Sequence, residues 1–404
     1  MTESDQGSGW VYLDSNATTR MDLRVVDAML PFFRGQFANA SSTHALGVAA
    51  SSAVRAARHQ IQSLIGAARE SEIVFTSGGS ESNNAAIFSA LETQQGRDEI
   101  VTSVVEHPSV LAVCAHLEKH GRARVHRIPV DRTGNLDLDA YRSALGSRTA
   151  LVSMQWANNE TGVVLPVALL ASMARKAGAL FHCDAVQAAG KITIDVQAAK
   201  IDMLSISAHK MHGPKGAAAL YVRHGVRLAP LIHGGRQERG RRAGTENTAA
   251  LVGFGYAAEL AAQALQSEMP RVVLLRDRLE REILRLVPGS RLIGGSAGIT
   301  IHRLPNTLSI AFEDLEADAI LLLLDRAFIA ASSGSACAAG SMEPSHVLRA
   351  MKVPFGYLRG ALRFSFSRDN SENDVDRVLD VLPQMVSDLR TMAAPMEAAY
   401  ECPP

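Results

Sequence analysis

Seven short apolar runs constrain this chain more than any other feature: 72–76 (EIVFT), 100–104 (IVTSV), 123–128 (ARVHRI), 149–155 (TALVSMQ), 179–183 (ALFHC), 202–207 (DMLSIS) and 217–222 (AAALYV). Stretches of helical spacing lie between most of them, among them 81–92, 109–119 and 166–177. Parallel strands need a long crossover, and a helix supplies it, so this alternation predicts an α/β domain on a mostly parallel sheet. The last two runs are joined by a Gly/Pro-containing link too short for such a crossover, which predicts one antiparallel strand there. After about residue 260 the texture changes to a Leu/Arg-rich helical stretch at 270–287, a Gly-rich 294–298 and further alternation ending in a helical 371–391. This predicts a second, smaller domain.

The 404 residues are 47% hydrophobic and 20% charged, with formal net charge +0, an ordinary globular composition. Balanced charge argues against a dedicated nucleic-acid binder. The longest apolar runs, such as 319–324 (AILLLL), are too short to cross a bilayer. The polar, acidic start MTESDQGSGW has no targeting pattern, so a soluble cytoplasmic protein is expected. Cys114, Cys183, Cys337 and Cys402 show no CxxC spacing, which fits free thiols in a reducing compartment.

Ligands of open α/β sheets collect at the carboxyl ends of the strands. TSGGSESNN (76–84), EHPSV (106–110), WANNETG (156–162), HCDAVQ (182–187) and SISAHK (205–210) all stand there, which points to one composite site. Gly79 and Ser80 open a helix whose N–H groups suit a phosphate or an ordinary N-cap. No GK[ST] follows, so this is not a nucleotide-binding P-loop. Asp184 fits a helix cap or a partner for a protonated ring nitrogen, and Gln187 could reach the same ligand. His107 could stack on a flat ring or be structural, and Asn158, Asn159 and Glu160 before Gly162 fit turn chemistry as well.

The chain has 41 Lys+Arg, of which only seven are lysine. Two of these, Lys210 and Lys215, fall in SAHKMHGPKG at 207–216. Lysine, unlike arginine, can lose its proton in a desolvated site and act as a nucleophile. His209 and His212 leave a metal site as an alternative, but no carboxylate or Cys stands at a usual ligand spacing. Pyridoxal 5'-phosphate needs a Schiff-base lysine, an acidic partner for its ring nitrogen and a phosphate cradle. Lys210, Asp184 and the set Gly79, Ser80, Ser207 and His209 match those needs in turn.

Over nearly its whole length, from YLDSNATT (12–19) to LRFSFSR (362–368), the chain resembles the class-V aminotransferase family, specifically cysteine desulfurases of the NifS/IscS group. The most specific pieces are EHPSV (106–110), ANNETG (157–162), DAVQ (184–187), SAHKMHGPKG (207–216), RRAGTEN (241–247) and SSGSACAAGS (332–341). The resemblance implies the type I fold of pyridoxal-phosphate-dependent transferases. A large cofactor-binding domain, 15–260, would hold a mostly parallel seven-stranded sheet. A smaller α/β domain, 1–14 with 261–404, would carry the nucleophile loop 332–341.

It also implies roles. Lys210 would be the Schiff-base lysine and Cys337 the nucleophile that carries a persulfide. His107 would stack on the ring and shuttle protons, Asp184 would meet the ring nitrogen and Gln187 the phenolic oxygen. Asn159 would lie near cofactor and substrate, and Arg363 would hold the substrate carboxylate with Asn39 assisting. Thr245 would reach the phosphate of a partner subunit, which implies a homodimer.

The implied activity takes sulfur from L-cysteine and leaves L-alanine. The persulfide on Cys337 would pass to an iron–sulfur scaffold or other acceptor, Cys337 being a metal ligand only transiently, on a shared scaffold cluster. QERGRRAGTEN (237–247) stands closer to the nitrogenase-associated form, and the housekeeping role stays open beside it. A selenocysteine lyase or another class-V enzyme is the alternative; a transaminase needs no loop thiol, so Cys337 argues against it. A protein of this fold that only binds partners is a second rival, opposed by an intact Lys210, Asp184 and Cys337. The chain departs from the family at Ser80 (commonly Thr), at Ala40 after Asn39 (commonly Pro) and in CAAGS (337–341), where CTSGS is common. It also ends at AAYECPP without a longer scaffold-docking extension.

Overall fold

The computed structural model describes residues 9–294, 302–333 and 344–393. After a short strand β1 (Val11–Tyr12), the apolar runs form β2 (Ile73–Thr76), β3 (Glu99–Ser103), β4 (Arg124–Ile128), β5 (Thr149–Gln155), β6 (Leu180–Asp184), β7 (Met203–Ser207) and β8 (Ala218–Val222). These seven make one sheet in the order β2-β8-β7-β6-β5-β3-β4. The stretch from β7 to β4 is parallel, and β8 runs antiparallel to both its neighbours, β7 and β2, as the short link predicts.

Alternate residues of the strands face two different cores. Phe75, Val101, Val152, Phe181 and Leu204 point into one, which is closed by the helices Leu23–Arg34, Ala45–Ile65, Val167–Lys176 and Thr248–Ser267. Val74, Ile100, Leu151, Met203 and Leu220 point into the other, under Gly79–Thr93 and Pro108–Lys119. Burial on both faces explains why the strands read as continuous apolar runs and not as alternating ones. The helices of the first layer approach closely at Gly255, where a Cβ would come within 2.4 Å of Ala57 Cα.

A second sheet follows from β9 (Ser290–Ile293), β10 (Thr307–Phe312), β11 (Ile329–Ala330), β12 (Ser332–Ser333) and β13 (Ala361–Ser365). Its antiparallel order is β12-β13-β10-β9, while β11 pairs in parallel with β1. A core of its own, including Val11, Leu13, Leu279, Phe312, Phe364 and Val378, packs it against the helices Met269–Leu286, Ala317–Arg326 and Glu372–Ala393. The N-terminal strand therefore packs with the C-terminal sheet. The next few residues, Asp14 to Ala17, run on toward the carboxyl edge of the central sheet, where Asn16 and Ala17 meet Lys210.

Candidate active site

Parallel strands put the ends of β3, β5, β6 and β7 at one edge, and β2, two places from β7 across β8, points the same way. There they enclose a cleft of about 680 Å³, open to solvent, lined by Gly79, Ser80, His107, Asn159, Asp184, Gln187, Ser207, His209 and Lys210. Nine of the residues expected at the site thus converge.

Lys210 ends a 3-10 turn, Ala208–Lys210, that directly continues β7. Its Nζ donates to the carbonyls of Asn16 at 2.5 Å and Ala17 at 2.8 Å. His209 Nδ1 lies 3.1 Å from Thr18 Oγ1. Burial, helped by the neighbouring lysines Lys210, Lys215 and Lys191, pushes His209 down to about 4, so it is a neutral ring at physiological pH.

Asp184, the last residue of β6, is 7% exposed. Its Oδ1 accepts from the Val186 N–H at 3.0 Å and its Oδ2 from Asn83 Nδ2 at 2.7 Å. Asn83 Nδ2 also donates to Ser109 Oγ at 2.8 Å, and Ser109 Oγ lies 2.8 Å from His107 Nδ1. The Ser109 N–H donates to the same Nδ1, which makes Nδ1 an acceptor and leaves the ring proton on Nε2. Burial, with Lys210 and His346 nearby, holds His107 below its ordinary range against the pull of Asp184. Asn83 and Ser109 thus tie the strand-end carboxylate to a neutral imidazole. Asn83 escapes a sequence reading because an Asn inside a helix looks like ordinary surface polarity, and only its place one turn after Gly79 hints otherwise.

The helix Gly79–Thr93 begins at Gly78 with no side-chain cap, leaving its first N–H groups to a ligand. A Cβ on Gly79 would meet Val186 Cγ2 at 2.8 Å, so only glycine lets the helix start lie this close to the cleft wall. An uncapped helix start, a hydrogen-bonded carboxylate and a lysine within one cleft fit the phosphate, ring nitrogen and aldehyde of pyridoxal phosphate.

Arg363, in β13, is 2% exposed. It donates through Nη1 to the Asn159 carbonyl at 3.0 Å and through Nη2 to Asp14 Oδ1 at 2.8 Å, while its Nε is buried without a partner among the described residues. Asn159 therefore joins the cleft to Arg363. Asn39 and Thr245 do not reach this cleft: both are exposed, and the Asn39 side chain accepts from the Ser41 N–H at 2.8 Å. Their chain neighbours Ala40 and Glu246 line a separate pocket with Arg55, Arg58 and Arg241. Cys337 and the rest of 334–341 lie outside the described residues, as does Cys402. Among the described residues no group of three or more His, Cys, Asp or Glu is placed to hold a metal.

Two buried carboxyls flank the cleft. Ser345 Oγ donates to Glu160 Oε2 at 2.5 Å, and burial pushes Glu160 up to about 7. Ser103 Oγ donates to Glu106 Oε1 at 2.6 Å, and Oε2 has no partner among the described residues. Burial, with Asp184 nearby, raises Glu106 from 4.5 to about 8. A raised carboxyl favours folding while protonated, so this stabilisation is complete below pH 4.5 and is lost as pH rises to about 8. Within that window the loss from one such group approaches about 1.4 kcal/mol per pH unit. Thermal unfolding at the two ends of the window should show Glu106→Gln losing less stability than the wild type; equal losses would contradict this placement of the proton.

The sequence profile described as "Aminotransferase class-V" matches residues 11–378. The chain belongs to this family. Its class-V relatives include a protein of Gluconacetobacter diazotrophicus named "Cysteine desulfurase", 60% identical over 383 residues and 95% of each chain. "Cysteine desulfurase NifS" of Azotobacter vinelandii is 51% identical over 95% of this chain and 94% of its own. Among solved structures, a "NIFS-LIKE PROTEIN" superposes with a TM-score of 0.87 at 36% identity, covering 94% of this chain and 100% of the other. "SspA in complex with cysteine" has a TM-score of 0.77 at 35% identity, covering 88% and 98%. The expected fold type, with its one antiparallel strand, is that of the class-V family.

Proposed function

We propose that the chain is a pyridoxal-phosphate-dependent cysteine desulfurase that takes sulfur from L-cysteine and leaves L-alanine. The observation that carries the reading is the convergence of Lys210, Asp184, His107 and the uncapped helix start at Gly79 in one cleft, in a chain 60% identical to a cysteine desulfurase. Pyridoxal phosphate, when bound, supplies an electron sink for the substrate's α-carbon.

The chain's own groups do the rest. Asp184, locked by Asn83 and the Val186 N–H, presents a carboxylate that keeps a ring nitrogen protonated. Ser80, Ser207 and His209 stand with Gly79 to hold a phosphate, and Gln187 to meet the phenolic oxygen. Lys210 Nζ, held between two carbonyls, is placed for covalent attachment and for moving the α-proton. Neutral His107 covers the cleft from the β3 side and can accept a proton. Arg363 takes the substrate carboxylate, for which it has an unused Nε–H, in exchange for part of its pairing with Asp14.

Cys337 is the nucleophile of this scheme. Its thiolate forms an S–S bond to the substrate sulfur while the C–S bond breaks; the electron pair stays with carbon, which is protonated to give alanine. The persulfide sulfur then passes to an acceptor protein such as an iron–sulfur scaffold, in the cytoplasm. The enzyme acts as a homodimer in which Thr245 completes the partner's phosphate cradle and Asn39 assists at a substrate site. The large domain spans 15–260, and the remainder forms the small one. No helix among the described residues is long and apolar enough to cross a membrane.

Incubation with L-cysteine and a thiol should yield alanine and sulfide in equal amounts; no alanine above a no-enzyme control would sink the reading. In the same assay Asp184→Asn should cut turnover by roughly 10²–10³-fold, the size of a lost electrostatic contact in an active site. Turnover within a few-fold of wild type would remove the ring-nitrogen role.

A further inference from the structure

Lys191 is one of only seven lysines and is 7% exposed, in the turns that follow β6. Long cationic side chains are rarely buried without a partner carboxylate. Among the described residues no Asp or Glu pairs with it. Its Nζ instead donates to Gln187 Oε1 at 2.8 Å. Gln187 lies four positions earlier, one turn away, and lines the cleft. Gln187 Nε2 donates to the Asn16 carbonyl at 3.0 Å, the same oxygen that accepts from Lys210 Nζ. Two lysines are thus joined through one amide and one carbonyl. Burial, with Lys210 and Arg363 nearby, holds Lys191 well below its ordinary range, so the position is costly to keep.

A glutamine amide can present either an oxygen or an N–H edge, and its neighbours decide which. The Asn16 carbonyl can only accept, so the N–H edge of Gln187 faces Asn16, and the amide oxygen faces Lys191 Nζ, which carries N–H in either protonation state. We propose that Lys191 is a positioning residue for the cofactor: it pins Gln187 Oε1, so that the amide's N–H edge faces Asn16 and the cleft and donates to the ring oxygen of bound pyridoxal phosphate. This rests on the reading of the cleft as a pyridoxal-phosphate site. Without Lys191 only the Asn16 carbonyl holds the amide edge, and an amide that turns presents its oxygen to the ring oxygen, replacing a donor with a repelling acceptor.

The test is a pH titration of the visible absorption of the holoenzyme, comparing wild type, Lys191→Met, Lys191→Gln, Gln187→Ala and Lys191→Met combined with Gln187→Ala. A hydrogen bond to the anionic ring oxygen favours its deprotonated form. Loss of that bond should therefore raise the spectral midpoint, by about one pH unit. Either Lys191 variant should show the rise, Gln187→Ala should match it, and the double variant should add nothing further. An unchanged midpoint in a folded Lys191 variant, or additive shifts in the double, would overturn the proposal. So would failure of both Lys191 variants to fold, since the residue would then serve folding alone. A wild type that develops no visible band with added pyridoxal phosphate would refute the cofactor reading itself, a result distinct from any of these.

Discussion

Lys210→Ala is expected to abolish both turnover and covalent attachment of the cofactor, whereas Lys215→Ala keeps both. Lys210 is the lysine that lines the cleft, held by the Asn16 and Ala17 carbonyls at the end of β7. Lys215 lies exposed five residues on, beside a different pocket near Arg20 and Asp369. Loss of proton transfer alone is worth on the order of 10²–10⁴ in rate, and loss of the covalent link adds to it. Borohydride reduction followed by peptide mapping checks the assignment: the cofactor's mass should fall on the peptide that contains Lys210. A Lys210→Ala protein that is still labelled at wild-type level would show that another amine makes the link.

Cys337→Ser is expected to separate binding from chemistry. Lys210, Asp184 and Gly79 are untouched by it, so the cofactor spectrum and its response to L-cysteine should persist. Alanine formation should fall to background, because a hydroxyl cannot take a sulfur atom as a thiolate does. The described cysteines offer no substitute. Burial pushes the Cys114 thiol up to about 12 and raises Cys183 well above its ordinary value, which leaves both protonated and inert. Wild-type alanine production by Cys337→Ser would remove Cys337 from the mechanism.

The frame of the site was legible because its cause is local. Strands buried on both faces must read as apolar runs, and the polar residues that end them must then stand at one edge. EHPSV, DAVQ and SAHK could therefore be assigned to one site from the sequence alone. The links between these clusters were not legible. Lys210 meets Asn16 across 194 positions, and Arg363 meets Asp14 across 349, distances over which no periodicity operates. Asn83 and Lys191 carry no local signal that separates them from surface polarity; burial alone, visible only in three dimensions, gives them meaning. Thr245, expected at the phosphate of a partner subunit, stands away from the cleft of its own chain, and Asn39, expected to assist Arg363, stands away from it too.

The measurement closest to the centre of this account is mass spectrometry of the holoenzyme after a single turnover with L-cysteine, in the absence of reductant and acceptor. One sulfur atom should be added to the peptide containing Cys337, with none on those containing Cys114, Cys183 or Cys402, and one alanine released per sulfur retained. Sulfur on another cysteine, or alanine released with no sulfur retained on the protein, would contradict it.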